Sequence, residues 1–453
     1  MKPLFISIFF LLLAVSSSQA AKKPNILFIL TDDQALETIS ALGNNGINTP
    51  NIDSLVKAGV TFTNASNMGS WVDDVSFASR TMMFTGKFLW LASKVKGSED
   101  PPLIQAFKDG GYETYGTGAW HVGAKGGMDS TFDHVLDKRS VPLSLEETKT
   151  PFTAWNHDQG ANWENGTHLT NLTGENAISL LKKATSQEKP FFLYVGFNAP
   201  ALPWQYEQKE LKSIKSDQLS LPPNIKNGHF YFSLKSPKEI SPKFASNRYR
   251  DYYLVIERLD RHLGRILSAL KQSGSYENTI IAFLSDNGIN NGENGVMGCQ
   301  NLYEKSLKAP LILAGPHIPK NKFIDTSVYL QDVLPTLMQL AQIPKPELCQ
   351  FRSFVPQMNG KETGPWEDIL GAYCNDMRSI RVEDHKLVLY RRKTERHIKL
   401  YDLIKDPFEM NDLSQRKSSS NIIEDCLDRL QRWEASSGGT LNIRSYFTQP
   451  DVR

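Results

Sequence analysis

The 453-residue sequence contains little cysteine and carries little net charge. Its four cysteines form no C-x-x-C pair, which argues against a zinc ribbon or a redox pair and leaves one or two disulfides open. Lysine and arginine total 51 against 49 aspartates and glutamates, so the formal net charge is only +2. Composition therefore gives no reason to expect nucleic acid or an anionic membrane as a partner.

Long hydrophobic runs are also missing after the first residues. The apolar run from Leu4 to Val15 is too short to span a membrane, and it follows a lysine and precedes the small residues Ser18 and Ala20. This pattern is typical of a secretory signal peptide, which we assign to residues 1–20. We therefore expect an exported protein, periplasmic or extracellular, with no membrane anchor.

Three continuous apolar runs have the length and composition of buried parallel strands. They are PNILFILTDD (24–33), PFFLYVGFNAP (190–200) and NTIIAFLSDNG (278–288). A helical pattern over 251–274 precedes the third run, and we expect His262 on this helix to lie at the surface. Alternating helices and strands predict an α/β domain over residues 21–345, with a large, mostly parallel sheet between helices.

The pattern changes from about residue 346. LVLYRR and HIKLYDL alternate between apolar and polar residues in the manner of antiparallel strands, and residues 420–436 form an amphipathic helical pattern. Residues 346–453 are therefore predicted to form a smaller α+β subdomain with a small antiparallel sheet and a helix.

Oxygen-bearing side chains follow two of the predicted strands. Asp32 and Asp33 come after the first strand, and Asp286 and Asn287 come after the third. Either pair alone is common in turns and helix caps. Together, three carboxylates and one amide oxygen suit a hard divalent cation, Ca²⁺ before Mg²⁺. Zinc would need histidine or cysteine here, and the nine histidines show no H-x-x-x-H spacing.

These aspartates belong to a series of motifs that resembles the sulfatases of the formylglycine-dependent type, within the alkaline-phosphatase-like superfamily. The motifs are PNILFILTDDQ, TPNIDSLVKAGVTFTNA, SFASRTMMFTGK, GYETYGTGAWHVG, KPFFLYVGFNAP, SDNGINNGENGVMGCQNLYE, KAPLILAGPHIP, DVLPTLMQLAQIPKPE and KLYDLIKDPFEMNDLS. The resemblance runs from Lys23 almost to the C-terminus. It implies the sulfatase fold and hydrolysis of sulfate esters, with a sulfate ester or sulfated glycan as substrate or ligand.

The resemblance also implies roles for individual residues. Ser76 stands where the family has a cysteine, or less often a serine, that a maturation enzyme oxidises to formylglycine, whose hydrated aldehyde attacks sulfur. Arg80 would steady the modified residue, and His121 would hydrogen-bond its hydroxyl. The Ca²⁺ ligands would be Asp32, Asp33, Asp286 and Asn287.

Several positions of the implied sulfate pocket depart from the family pattern. Ala119 and Cys299 replace two lysines, and Ala201 replaces a histidine. Asp73 and Asp74 add negative charge just before the nucleophile position, which disfavours an anionic substrate. Because removal of one preorganised group of this kind costs roughly 10² to 10³ in rate, we expect weak or lost hydrolysis.

Three alternatives stay open at this point. An active serine-type sulfatase would use formylglycine at Ser76, with Lys125, Lys305 or Lys308 supplying the missing charge. A phosphate or phosphonate ester hydrolase would use unmodified Ser76. The third is a non-catalytic binder of sulfated glycans. Ser76 as a buried serine that caps a helix N-terminus is compatible with each chemistry, and it is the state expected if hydrolysis is lost. We expect the tryptophans Trp71, Trp90, Trp120 and Trp204 to pack in the core rather than form a substrate platform.

Overall fold

The computed structural model describes residues 22–95, 101–123, 127–136, 163–164, 167–225, 240–392 and 395–448. The predicted signal peptide and Lys125 lie outside the described residues. Among the residues that are described, no helix combines the length and the apolar character needed to cross a membrane.

The strands are β1 (Asn25–Thr31), β2 (Gly59–Phe62), β3 (Ala65–Ser66), β4 (Gly69–Ser70), β5 (Glu113–Gly118), β6 (His134–Leu136), β7 (Trp163–Glu164), β8 (Thr167–His168), β9 (Phe191–Gly196), β10 (Thr279–Ser285), β11 (Asn290–Asn291), β12 (Met297–Gly298), β13 (Leu311–Ala314), β14 (Lys322–Ile324), β15 (Val328–Tyr329), β16 (Asp368–Tyr373), β17 (Met377–Val382), β18 (His385–Arg392) and β19 (Glu395–Asp402). The α-helices are α1 (Pro50–Ala58), α2 (Val75–Thr85), α3 (Leu89–Ala92), α4 (Pro102–Asp109), α5 (Gly127–Thr131), α6 (Leu169–Thr185), α7 (Pro242–Gln272), α8 (Glu304–Leu307), α9 (Val333–Leu340), α10 (Val355–Met358), α11 (Ser420–Ser436) and α12 (Ile443–Thr448).

Eight strands form the main sheet, in the order β14-β2-β13-β10-β1-β9-β5-β6. All neighbours are parallel except at β13, which runs antiparallel to both β10 and β2. The three strands predicted from apolar runs are neighbours at the centre of this sheet. The prediction of a large, mostly parallel sheet is therefore confirmed.

Both faces of the sheet are covered, as a continuous apolar strand requires. Along β1, Ile26 and Phe28 pack into one hydrophobic cluster, whereas Leu27 and Ile29 pack into a second one. Since side chains alternate between the faces of a strand, the two clusters lie on opposite sides of the sheet.

The long helix α7 begins nine residues before the predicted pattern. Ser241 caps it by accepting a hydrogen bond from Phe244 N, and the helix ends before Gly274 in the left-handed conformation. The first turns of α7 are mostly polar, so the apolar pattern in the sequence did not indicate where the helix begins. The expectation that His262 lies at the surface was wrong, because α6 packs on α7 and His262 Nε2 lies 2.9 Å from Asn171 Oδ1.

The C-terminal sheet has five strands in the order β19-β18-β17-β16-β4, with α11 and α12 packed against it. Strands β16 to β19 are antiparallel, as predicted. The sheet is nevertheless mixed, because β4 from the N-terminal part of the chain joins β16 in parallel. A two-residue strand leaves no periodic pattern in the sequence, so this pairing was not predictable.

None of the four cysteines, all of which are described, is paired in a disulfide. Cys299, Cys349 and Cys426 are buried, and Cys374 is partly exposed. The open question of one or two disulfides is therefore answered in favour of free thiols.

Candidate active site

The central strands bring the four predicted oxygen ligands together. Parallel pairing of β1 with β10 places Thr31 opposite Ser285, so the residues that follow both strands leave the same edge of the sheet. Asp33 N donates to Asp286 Oδ1 over 3.2 Å, and the Asn287 amide donates to Asp33 Oδ1. Sites of α/β sheets collect at such strand ends.

Ser76 lies in the first turn of α2 and points at this cluster. Its hydroxyl donates to Asp32 Oδ1 over 2.8 Å and lies 3.4 Å from Asn287 Oδ1. The idea that Ser76 caps the helix was wrong, because the Asp74 side chain does so by accepting a hydrogen bond from Phe77 N over 2.9 Å. The Ser76 hydroxyl is therefore available for chemistry without loss of the cap.

Arg80, one turn further along α2, is fully buried and joins three strand ends. Its guanidinium donates to Asp32 Oδ2 over 3.0 Å and to Asp286 Oδ2 over 2.7 Å. Its third described bond goes to the Ala119 carbonyl, beyond the end of β5, over 3.1 Å. Burial opposes the charge, but the carboxylates of Asp286 and Asp32 outweigh it and raise the Arg80 pKa above its usual value.

His121 follows β5 and faces the same aspartates. Its Nδ1 lies 3.8 Å from Asp32 Oδ2, and its backbone has a positive φ of 30°. Burial, with help from the nearby Arg80 charge, lowers the pKa of His121 to about 4. The imidazole is therefore neutral at pH 7 and adds no positive charge to the site.

The aspartates carry more negative charge than their described partners balance. Burial, in part with mutual repulsion, raises the pKa of Asp32 and Asp33 and brings that of Asp286 to about 6. When all three are ionised, three carboxylates and one guanidinium leave two negative charges.

The chemistry of this donor set fits a hard divalent cation, whose two positive charges would cancel the excess. The residues that could hold such an ion are Asp32, Asp33, Asp286 and Asn287. In the described part of the chain, no three histidine, cysteine, aspartate or glutamate side chains form a metal site by themselves. The aspartate oxygens accept hydrogen bonds from Ser76, from Arg80 and from the Asn287 amide.

The substituted pocket positions lie beside the predicted site residues. Ala119 is buried, and its carbonyl accepts hydrogen bonds from Arg80 and Tyr194. The buried Cys299 thiol is hydrogen-bonded to Asp33, and burial followed by the charge of Asp33 raises its pKa well above the usual range. A protonated thiol and a methyl group therefore stand where the resemblance implies two ammonium groups.

Ala201 follows a segment that is hydrogen-bonded to the residue after β1. It is two residues beyond Ala199, whose carbonyl accepts a hydrogen bond from Asp32 N over 3.2 Å. Its own amide donates to the Asn198 carbonyl over 3.0 Å. The methyl side chain offers no proton and no charge to a bound sulfate.

The lysines considered as replacements have other partners. Lys305 forms ion pairs with Glu37 and with Glu293, the latter at 3.2 Å. Lys308 pairs with Glu304 at 2.9 Å. Both ammonium groups are therefore bound to glutamates outside the aspartate cluster.

A second group of residues, which the sequence did not predict, is hydrogen-bonded to the backbone of Asp286. Ser79 Oγ donates to the Asp286 carbonyl over 2.7 Å and accepts from Gln331 Nε2 at 3.1 Å. The same Gln331 amide donates to Asn67 Oδ1 over 2.9 Å. Ser79 stands in the SFASR motif, but nothing in the sequence around Gln331 or Asn67 indicates this contact.

The expectation that the tryptophans pack in the core is confirmed for Trp120 and Trp204, each of which is 1% exposed. Trp71 and Trp90 are half-buried against the cluster that contains Trp120. Trp71 contacts the ring of Phe77, next to Ser76, edge to face with centroids 6.1 Å apart.

A mostly parallel sheet, with an acidic cluster at its strand ends and a helix that points a serine at this cluster, fits the alkaline-phosphatase-like superfamily. The sulfatase family model matches residues 24–343, and the model of the N-sulphoglucosamine sulphohydrolase C-terminal region matches residues 292–436. The chain therefore belongs to the sulfatase family of sulfuric ester hydrolases.

Individual relatives match over almost the whole chain. A sulfatase of Formosa agariphila is 29% identical over 95% of this chain and 91% of the relative. An ulvan-active sulfatase of the same organism is 25% identical over 96% of this chain and 85% of the relative. A solved structure in complex with its substrate D-glucosamine-2-N,6-O-disulfate superposes with a TM-score of 0.73 at 21% identity, covering 92% of this chain and 98% of the other.

Proposed function

We propose that this sulfatase-family protein holds Ca²⁺ beside Ser76 and hydrolyses sulfate esters weakly or not at all. One observation carries this conclusion: among the described residues at the site, no cationic group is left for an anionic substrate. The three described hydrogen bonds of Arg80 go to two aspartates and a carbonyl oxygen. His121 is neutral, and two alanines and a thiol occupy the positions of the expected lysines and histidine.

The proposed Ca²⁺ would be held by Asp32, Asp33, Asp286 and Asn287. When bound, such an ion neutralises the carboxylates and acidifies a neighbouring hydroxyl. The chain's own residues do the positioning: Asp32 holds the Ser76 hydroxyl, and Arg80 holds Asp32 against Asp286.

A second candidate function is supported by the orientation of Ser76. The hydroxyl faces the aspartates and has no capping role, so oxidation to formylglycine would leave the start of α2 intact. In this case a maturase is a transient partner, and the protein is an active serine-type sulfatase. The names of its relatives support a sulfate ester or a sulfated glycan as substrate.

One experiment separates the two candidates. The protein is co-expressed with a serine-type maturase, and oxidation of Ser76 is followed by mass spectrometry of the tryptic peptide from Ala58 to Arg80. Turnover of an aryl sulfate with Ca²⁺ is then compared with that of Ser76→Ala. We expect little difference between them, even when Ser76 is oxidised. Robust turnover that requires Ser76 would overturn the proposal and establish the active sulfatase.

Restoring the missing charges tests the cause. We expect Ala119→Lys combined with Cys299→Lys to raise turnover of the oxidised protein by roughly 10² or more, because each lysine would meet negative charge in the transition state. The matched control carries Ser76→Ala in addition, and Cys299→Lys alone guards against misfolding at the buried position 119. A folded, oxidised variant without any gain would show that activity is lost for another reason.

The calcium site has its own test. At a Ca²⁺ concentration of one hundred times the dissociation constant, unfolding free energy should rise by about 2.7 kcal/mol. Asn287→Ala should reduce this gain, while Asn375→Ala, at an exposed turn, should keep it. Equal gains in both variants would exclude Asn287 as a ligand. Repeating the titration with Mg²⁺ tests the preference for the larger ion.

The remaining alternatives are checked with the same protein. Hydrolysis of a phosphonate monoester by unmodified Ser76 would support a phosphate or phosphonate ester hydrolase, the function that we rank last. Calcium-dependent binding of a sulfated glycan without turnover would define a binding protein.

Export to the periplasm or outside the cell is part of the proposal, and the N-terminal sequence of mature protein from its native host tests it.

A further inference from the structure

Asp73, three residues before Ser76, is the meeting point of three segments that are far apart in sequence. Tyr373 from the C-terminal sheet donates its hydroxyl hydrogen to Asp73 Oδ1 over 2.8 Å. Gln300, next to the substituted position 299, donates from its side-chain amide to the Asp73 carbonyl over 3.3 Å. The carboxylate that looked like an adverse charge in the sequence therefore has a structural partner.

The chain leading to Asp73 is also fixed by the C-terminal sheet. Gly69 and Ser70 pair with Ala372 and Tyr373, and Cys374 N donates to the Ser70 carbonyl over 2.7 Å. Gly69 has a φ of 97°, and a Cβ atom there would lie 1.9 Å from the Ala372 carbonyl oxygen. The close approach of the two backbones therefore requires glycine at this position.

The segment ends at the helix that carries Ser76. Asp74 directly follows Asp73 and caps α2 through Phe77 N. Because the cap and Ser76 belong to the same first turn, a displacement of Asp73 would shift the Ser76 hydroxyl relative to Asp32.

We propose that Tyr373 is a positioning residue: through Asp73, the C-terminal subdomain sets the place of Ser76 against the aspartate cluster. The Tyr373 hydroxyl can act as a permanent hydrogen-bond donor, because burial and the hydrogen bond to Asp73 raise its pKa and keep it protonated. The use of Ser76 rests on the proposed function, whereas the mechanical link from Tyr373 to α2 does not.

Hydrogen exchange of the full chain, without added cation, tests the link. Tyr373→Phe should speed exchange of the backbone amides of residues 74–77 about fivefold, which is the typical net effect of losing one hydrogen bond. Tyr446→Phe is the matched control in the same subdomain, where the ring lies over Arg391 at 4.1 Å, and it should leave these amides unchanged. Unchanged exchange in Tyr373→Phe, or an equal rise throughout the molecule, would overturn the proposal.

Conservative substitution provides a second measurement. Asp73→Asn keeps an acceptor oxygen for Tyr373 and should exchange within about twofold of the parent protein, whereas Asp73→Ala should match Tyr373→Phe. Combining Asp73→Ala with Tyr373→Phe should add nothing further if both act through one bond. Additive effects would show that Tyr373 acts on α2 by another route. These results do not depend on turnover, so an inactive protein still decides the question.

Discussion

Arg80 shows how much of the site depends on one side chain. It is fully buried and contacts Asp32, Asp286 and the Ala119 carbonyl, which belong to three different strand ends. A buried charge of this kind is tolerable only while its partners remain. Removing it would leave two buried carboxylates facing each other.

We expect Arg80→Ala to lower the free energy of unfolding by about 3 to 5 kcal/mol, measured by urea denaturation at pH 7 without added cation. Arg80→Lys should be intermediate, because a lysine keeps the charge but cannot donate to both carboxylates as a fork. The control is Arg444→Ala, at a partly exposed surface arginine that pairs with Glu424 and Asp428, where we expect a change of about 1 kcal/mol or less. Similar losses in the two alanine variants would contradict the importance of the buried guanidinium.

At the scale of elements, helix α1 begins with help from a distant helix. Thr49 stands at its N-cap without a capping bond from its side chain. The amides of Asn51 and Ile52 donate instead to Asp260 of α7, at 3.1 and 2.8 Å. Asp260 thereby satisfies the free donors of one helix and fixes α7 against it.

Asp260→Ala should therefore destabilise the protein by about 2 kcal/mol, because it leaves helix-end donors without an acceptor. Differential scanning calorimetry checks this as a fall in the melting temperature. Asp217→Ala, at an exposed aspartate, should leave the melting temperature nearly unchanged. An equally small effect in both variants would mean that water replaces Asp260 at no cost.

At the scale of the whole molecule, two buried histidines, His168 and His262, make the stability depend on pH. His168 Nδ1 accepts from Thr170 N at 3.2 Å, and His262 bonds to Asn171. Burial is the main cause that lowers the pKa of His168 to about 3 and that of His262 to about 4. Each imidazole is therefore neutral in the folded protein.

Because both folded pKa values lie below the ordinary value of about 6.5, the unfolded chain binds more protons between about pH 6.5 and pH 4. The stabilisation is present above this window and is lost as pH falls, by at most about 1.4 kcal/mol per pH unit for each histidine. Urea midpoints from pH 7.5 to 4.5 should fall less steeply in the double variant His168→Asn and His262→Gln. His317→Asn, at an exposed histidine, should retain the parent slope.

The sequence by itself determined the central strands, the α/β class, the family and the residues gathered around Ser76, because each follows from local patterning or a contiguous motif. Only the tertiary structure decided which nearby groups serve which purpose. Asp74 rather than Ser76 caps α2, Asp73 binds Tyr373, His262 is buried by α6, and Lys305 is held by glutamates. These outcomes depend on contacts between residues up to 300 positions apart, which no local pattern encodes.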